Sequence, residues 1–175
     1  MEGVAKRGSF DLDQHAKFSG KDLTYFDEDS KTRFRPWVIE PALGVDRAML
    51  AFMLDAYDED VVDNEERIVL RLDPRLAPIK VAVYPLLRKL GQPEKAIAIR
   101  DALKRHFTVA YDQAGSIGRR YRRQDEVGTP YGVTIDHQTM EDDTVTIRDR
   151  DAMTQERVPI ARLVEVITER IGWTR

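Results

Sequence analysis

Four arginines fall in five positions, at Arg119, Arg120, Arg122 and Arg123, with Tyr121 among them, inside Gly115-Ser116-Ile117-Gly118-Arg119-Arg120-Tyr121-Arg122-Arg123-Gln124-Asp125-Glu126. A guanidinium is a planar fork that grips phosphate through two parallel hydrogen bonds and stacks on bases, and a tyrosine ring offers a further stacking face. Together they could hold a looped nucleic acid. Ser116 has the side chain of an N-cap. A helix from there to about residue 124 puts Arg119, Arg122 and Arg123 on one side and Arg120 elsewhere, so the four cannot all meet one ligand. The same run would also serve as a solvated helix face, its arginines paired with Asp125, Glu126 and Asp149, which is the usual fate of a charge run taken in isolation.

Two further groups could carry chemistry. Arg148-Asp149-Arg150-Asp151 ends a β-rich run, and strand alternation places Arg148 and Arg150 on one face, either toward a phosphate or in cross-strand ion pairs worth under about 1 kcal/mol. In Glu40-Pro41-Ala42-Leu43-Gly44-Val45-Asp46-Arg47 a glutamate closes a strand, a glycine permits a turn, and an arginine enters a helix. A carboxylate there could hold an ammonium and the arginine a polyphosphate, or the segment is an ordinary strand-to-helix corner. His15, His106 and His137 lack metal-ligand spacing. No nucleophile elbow and no phosphate-binding P-loop is present, so nothing supports hydrolase chemistry.

The elements that must position these residues follow from periodicity. Residues 1–35 read as a polar, irregular surface segment with at most short strands near residues 23–26 and 34–39, and Pro41 is expected to stop the second of these. Ala48, Met49, Phe52, Met53 and Ala56 recur at helical spacing, which predicts a buried helix over residues 45–57. The acid-rich residues 58–66 read as a mobile loop. From residue 79 onward strand and helix alternate: a strand over 79–84, a helix with Pro93 in its first turn and Ala96, Ile99, Leu103 and Phe107 on one face, and a strand over 107–111. Then come the basic helix, an antiparallel hairpin carrying Tyr131, Val133, Ile135, Val145 and Ile147 with an acidic tip, and a last helix carrying Leu163, Val164, Ile167 and Ile171. The order β-α-β-α-β-β-α predicts an α/β fold, a mixed sheet with helices on its faces.

Composition limits the class. The 175 residues are 42% hydrophobic and 34% charged, with no cysteine, a net charge of −3 and a pI near 5.7. Disulfides and thiolate metal sites are excluded, and an acidic chain does not coat nucleic acid by bulk charge, so any such contact needs a local basic patch. No apolar run approaches the roughly 20 residues of a membrane helix, and the N-terminus lacks a signal peptide's apolar core. The expectation is a soluble cytoplasmic protein with no membrane partner.

These pieces, in order and spacing, resemble the C-terminal part of the dimeric class II glycyl-tRNA synthetases. The carriers are Glu2-Gly3-Val4-Ala5-Lys6-Arg7 with Phe10-Asp11-Leu12-Asp13-Gln14-His15; residues 38–47, similar to class II motif 3; Leu76-Ala77-Pro78-Ile79-Lys80-Val81-Ala82-Val83; residues 115–131; and residues 144–151. The resemblance implies a remnant of the antiparallel catalytic domain over residues 1–60, an acidic loop and linker over 61–76, and an anticodon-binding domain over 77–175. It implies that Glu40 and the position of Ala42 face glycine, where Ala42 replaces the family's usual serine. It implies that Arg47 and Arg7 lie against ATP. It also implies that Arg119, Arg120, Tyr121, Arg122, Arg123, Arg148 and Arg150 meet the anticodon of glycine tRNA.

For the intact enzyme the implied partners and cofactors are glycine, glycine tRNA, ATP and Mg2+. Motifs 1 and 2 are not in this sequence, so the chain alone is expected neither to need a cofactor nor to activate glycine. An accessory or scaffold protein built on the anticodon-domain fold, without ligase activity, is the alternative. Because the helix over 45–57 would leave Met49, Phe52, Met53 and Leu54 uncovered, self-association as a homodimer, or docking of that helix on the chain's own anticodon domain, is also expected.

Overall fold

A computed structural model describes residues 2–62 and 64–172 and divides the chain into two units, residues 1–51 and 52–175. The first unit runs β1 (Glu2–Gly8), α1 (Phe10–Ser19), β2 (Tyr25–Asp27), β3 (Thr32–Phe34) and β4 (Val38–Leu43), and then enters α2 (Val45–Ala56). β1 and β4 pair antiparallel with Gly3 opposite Ala42, Val4 opposite Pro41 and Ala5 opposite Glu40. β2 and β3 form a separate hairpin.

This corrects the reading of residues 1–35 as irregular. β1 carries no hydrophobic alternation because neither of its faces is buried, and it is held by backbone pairing that leaves no periodic mark. Nor does Pro41 end its strand. A two-stranded sheet consists only of edges, where the missing N–H can face outward at no cost.

α2 leads into the second unit, where β5 (Tyr57–Val62) and β6 (Glu65–Leu70) pair as an antiparallel ribbon with Asp60 opposite Arg67. The acid-rich segment is therefore a hairpin and not the expected loop. Asp58 and Asp60 are neutralised from the far strand and beyond it: Arg71 Nε donates to Asp58 at 2.7 Å, Arg71 Nη2 to Asp60 at 2.7 Å, and Arg67 Nε to Asp60 at 2.7 Å.

There follow β7 (Val81–Pro85), α3 (Gln92–Leu103), β8 (Val109–Tyr111), α4 (Ile117–Glu126), β9 (Tyr131–Ile135), the single turn α5 (Thr139–Asp142), β10 (Thr144–Asp149), β11 (Gln155–Pro159) and, after a short 3-10 turn, α6 (Leu163–Ile171). The sheet order is β11-β10-β9-β7-β8, with β8, β7 and β9 parallel and β9, β10 and β11 antiparallel. The expected mixed sheet is present, extended by β11, whose polar residues 155–157 give no strand alternation.

Period-two alternation sorts the sheet's faces. Val81, Val83, Tyr131, Val133, Ile135, Val145 and Ile147 pack with Ala96, Ile99 and Leu103 of α3 and Leu163, Ile167 and Ile171 of α6 in one buried cluster. Each fully buried aliphatic side chain contributes about 1.5–3 kcal/mol, so this face carries most of the stability. The opposite face, with Tyr84, Gly132, Thr134, Thr146 and Arg148, is polar and is where α4 lies.

Candidate nucleic-acid interface

α4 starts as the sequence predicts: Ser116 is its N-cap, its hydroxyl accepting from the Arg119 backbone N–H at 3.4 Å. Its arginines then part company. Arg120 is buried and donates to the backbone carbonyls of Pro85 and Leu86 where β7 ends, which fastens the helix to that strand. Arg148 is buried, closes on Asp125 with both terminal nitrogens at 2.8 and 3.0 Å, and lies 4.8 Å above the Tyr121 ring. Arg150 is buried and donates to the carbonyls of Gly128 and Leu72, at 2.8 Å each, and to Asp151. Arg122, partly exposed, leans on Asp125 at 3.3 Å.

Tyr121, partly exposed, is engaged within the fold. Arg148 covers one side, the Tyr84 ring meets it edge-on at 5.4 Å, and its hydroxyl shares a 2.7 Å hydrogen bond with Thr134. Burial pushes its phenol pKa up. Gly132 makes this stack fit, because a Cβ there would come to 3.0 Å from Tyr84 and 3.6 Å from Tyr121.

Of the seven residues expected to meet RNA, Arg120, Arg148 and Arg150 are thus interior struts, and Tyr121 and Arg122 are partly exposed side chains with partners inside the fold. For Arg148 and Arg122 the physical reason is Asp125. It is fully buried and gathers Arg148, Arg122 and, at 3.4 Å, Arg67 from the β5–β6 ribbon. A buried carboxylate must be paired, and β10, the β5–β6 ribbon and α4 itself supply guanidiniums to it. Arg67 and Asp60 went unremarked in the sequence because they lie in what reads as an acidic loop.

Arg119 and Arg123 remain outward. Arg119 is exposed, and its side chain makes no hydrogen bond or ion pair among the described residues. Arg123 is about half exposed and braces the loop before α4, donating to Asp112 at 3.0 Å and to the Ala114 carbonyl at 2.6 Å. Burial works to raise the Asp112 carboxyl pKa, but the Ala114 amide and Arg123 outweigh it and hold the acid below its usual range. The neighbouring loop adds Arg88, whose Nε donates to the Gln113 carbonyl at 2.6 Å, and the exposed Lys89. Tyr111, at the end of β8, donates to the Gln113 side chain at 2.9 Å.

Arg88, Lys89, Gln113 and Arg119 therefore sit on two joined loops and the first turn of α4 beyond the carboxyl ends of β7 and β8, and Arg123 reaches back to the second loop from the last turn of α4. That is where open sheets with parallel strands place ligands. Arg88 and Lys89 escaped the sequence reading. Their signal was a basic pair directly after an apolar strand.

The anticodon binding domain family model matches residues 80–170, which span this sheet and both loops. The chain belongs to the anticodon-binding domain family. Over 98% of its length it is 53% identical to the glycine–tRNA ligase of Thermobifida fusca and 52% identical to that of Streptomyces coelicolor. Over 97% it is 52% identical to that of Clostridium tetani. The chain spans 36–38% of the length of these curated relatives. The RNA binding domain of threonyl-tRNA synthetase from Cryptosporidium parvum Iowa II shares the fold, with a TM-score of 0.64 at 23% identity over 85% of this chain and 35% of that one.

In the first unit Arg7 and Glu40 are paired. Arg7 Nη1 meets Glu40 at 2.9 Å, and its other nitrogens hold Asp11 at 2.6 and 3.0 Å. Ala42, two residues on, is exposed on the same strand, and Arg47 is exposed in the first turn of α2. α2 is present but is not the buried helix that its spacing predicts: it buries only Ala56, and Met49, Phe52, Met53 and Leu54 are exposed. Among the described residues no helix is long and apolar enough to cross a membrane, and no three acidic or histidine side chains converge as a metal site.

Proposed function

We propose that residues 77–175 are the anticodon-recognition part of a glycine–tRNA ligase, and that the loops after β7 and β8 with the start of α4 receive the anticodon loop of glycine tRNA. The supporting observation is the pair of unpartnered cations, Lys89 and Arg119, standing beside Arg88, Gln113 and Arg123 on the edge where parallel-sheet domains bind ligands. The similarity to glycine–tRNA ligases supplies the identity of the RNA. Unpaired loop bases expose edges that an amide such as Gln113 can read, while the cations take the phosphates. The proposed setting is cytoplasmic, alongside the tRNA pool.

In the same reading residues 1–60 belong to the catalytic domain, which joins glycine to tRNA at the expense of ATP. Glu40, beside Ala42, would receive the glycine ammonium in exchange for part of its pairing with Arg7. Arg47, exposed and free of partners among the described residues, would lie along ATP phosphates. Among the described residues no acidic cluster fits Mg2+ by itself, and the ion would arrive on the ATP phosphates. The exposed apolar side of α2 would be covered by the rest of such a ligase or by a second copy in a homodimer.

The test is equilibrium binding of the chain to glycine tRNA and to the same transcript with an exchanged anticodon. The reading requires tighter binding of the first and loss of that preference in a Gln113→Ala, Arg119→Ala variant. Equal binding of both transcripts by the parent overturns it. An accessory or scaffold role would show instead as no tRNA binding at all.

A further inference from the structure

From residue 52 onward, every described lysine and arginine has a carboxylate, carbonyl or aromatic partner except four: Lys89, Arg119, Lys104 and Arg105. The first two belong to the loops beyond the carboxyl ends of the parallel strands. The other two lie at the opposite end of those strands, in the turn that joins α3 to β8.

That turn is a rigid mount. Leu103 and Phe107 on either side of it are buried, and the three residues between them, Lys104, Arg105 and His106, are exposed. Its backbone is tied down by Lys104 N–H to Arg100 O at 2.9 Å, His106 N–H to Leu103 O at 2.9 Å and Phe107 N–H to Leu103 O at 3.0 Å. Neighbouring acids are spent: Asp101 is paired with Arg100, and Asp73 with Arg75. The 73–75 turn reaches the same end of the sheet, because Lys80 donates its backbone N–H to Thr108 O and its ammonium to Arg75 O.

We propose that Lys104 and Arg105 form a second contact for an RNA phosphodiester backbone, separate from the loop-reading edge. β7 has five residues at about 3.3 Å each, so the two cationic ends stand roughly 17 Å apart. That separation suits one folded RNA touching the domain at its loop and again along its backbone. In a chain of net charge −3, two adjacent exposed cations without an internal partner, on a backbone held by hydrogen bonds, are a surface to which a polyanion is attracted. The contact is electrostatic and sequence-independent. It rests on the reading of the domain as a tRNA binder. Two cations at a helix C-terminus also favour the helix dipole, which would be a purely internal role, so the test must separate the two.

The experiment uses the whole chain with Lys104→Gln and Arg105→Gln, singly and together. Binding to glycine tRNA and to the anticodon-exchanged transcript is measured between about 50 and 200 mM salt, alongside thermal melting. Removing a cation that neutralises one phosphate reduces the salt slope by about 0.7–0.9. The double variant should therefore bind both transcripts more weakly by one common factor, with a slope lower by about 1.4–1.8 and the preference between transcripts unchanged. An unchanged slope in the double variant overturns the inference, whether or not the melting temperature falls. So does displacement of the RNA by polyglutamate acting at these two residues, which would mark the turn as a protein-binding surface. If the parent itself binds neither transcript, it is the anticodon reading that has failed, and that result is seen before any variant is made.

Discussion

Arg148 and Asp125 face each other across the polar side of the sheet in a closed two-point pair, 2.8 and 3.0 Å, with the carboxylate wholly buried. The same carboxylate holds Arg67 and Arg122, so one atom group on α4 ties β10 and the β5–β6 ribbon together. Removing it leaves buried guanidiniums uncompensated. Asp125→Ala should cost about 3–5 kcal/mol of unfolding free energy, read by urea titration. Arg122→Ala, whose side chain is partly exposed, should cost under about 1 kcal/mol. Equal losses in the two variants would show that Asp125 is not the centre of the network.

Gly132 is where the tyrosine stack meets the sheet. A methyl group at this position would press on Tyr84 at 3.0 Å and meet Tyr121, the ring beneath Arg148, at 3.6 Å. Gly132→Ala should therefore lower stability by about 1–3 kcal/mol through overpacking, with a matching change in the near-ultraviolet tyrosine signal. A variant as stable as the parent, with that signal unchanged, would mean the stack has slack.

What could be read in the sequence followed from periodicity. The α3 and α6 faces, the hairpin strands and the Ser116 cap are each set by local spacing, and they appear where the spacing puts them. β1 and the β5–β6 ribbon were invisible, because one buries no face and the other pairs its acids with arginines up to 13 residues away. The arginine block was legible as arginine but not as direction. Arg119 and Arg120 are neighbours, yet one is free in solvent and the other is fastened to carbonyls some 34–35 residues earlier in the chain. Only the tertiary path of β7 decides that. The basic pair Arg88-Lys89 needed the sheet topology before its loop could be placed beside the start of α4.

Asp136 gives the fold an acid-sensitive point. Arg157 lowers the Asp136 carboxyl pKa far below its ordinary value, the Thr139 amide and hydroxyl add to this, and burial opposes it. A depressed folded-state pKa means stability that is complete above the unfolded value of about 3.9 and is lost as pH falls further. Asp136→Asn should therefore be less stable than the parent at neutral pH, and the gap should close steadily below about pH 4. Urea titrations at a series of pH values check this. A gap independent of pH would mean that the loss comes from hydrogen-bond geometry the amide cannot reproduce and not from the charge of Asp136.

The sharpest contrast is between Arg119 and Arg120. The Arg119 guanidinium has no polar partner among the described residues, so Arg119→Ala should leave unfolding within about 0.5 kcal/mol of the parent. If it holds a phosphate, the same change lowers the salt slope of RNA binding by about 0.7–0.9. Arg120 satisfies two backbone carbonyls at the end of β7, and Arg120→Ala should destabilise the fold by about 1–3 kcal/mol. Arg120→Lys should not restore this, because a single ammonium cannot reproduce the fork that spans two acceptors. Binding and unfolding measured on all three variants give the answer together. RNA affinity that tracks Arg119 while stability tracks Arg120 is the expected pattern, and the reverse would put the RNA on the wrong side of α4.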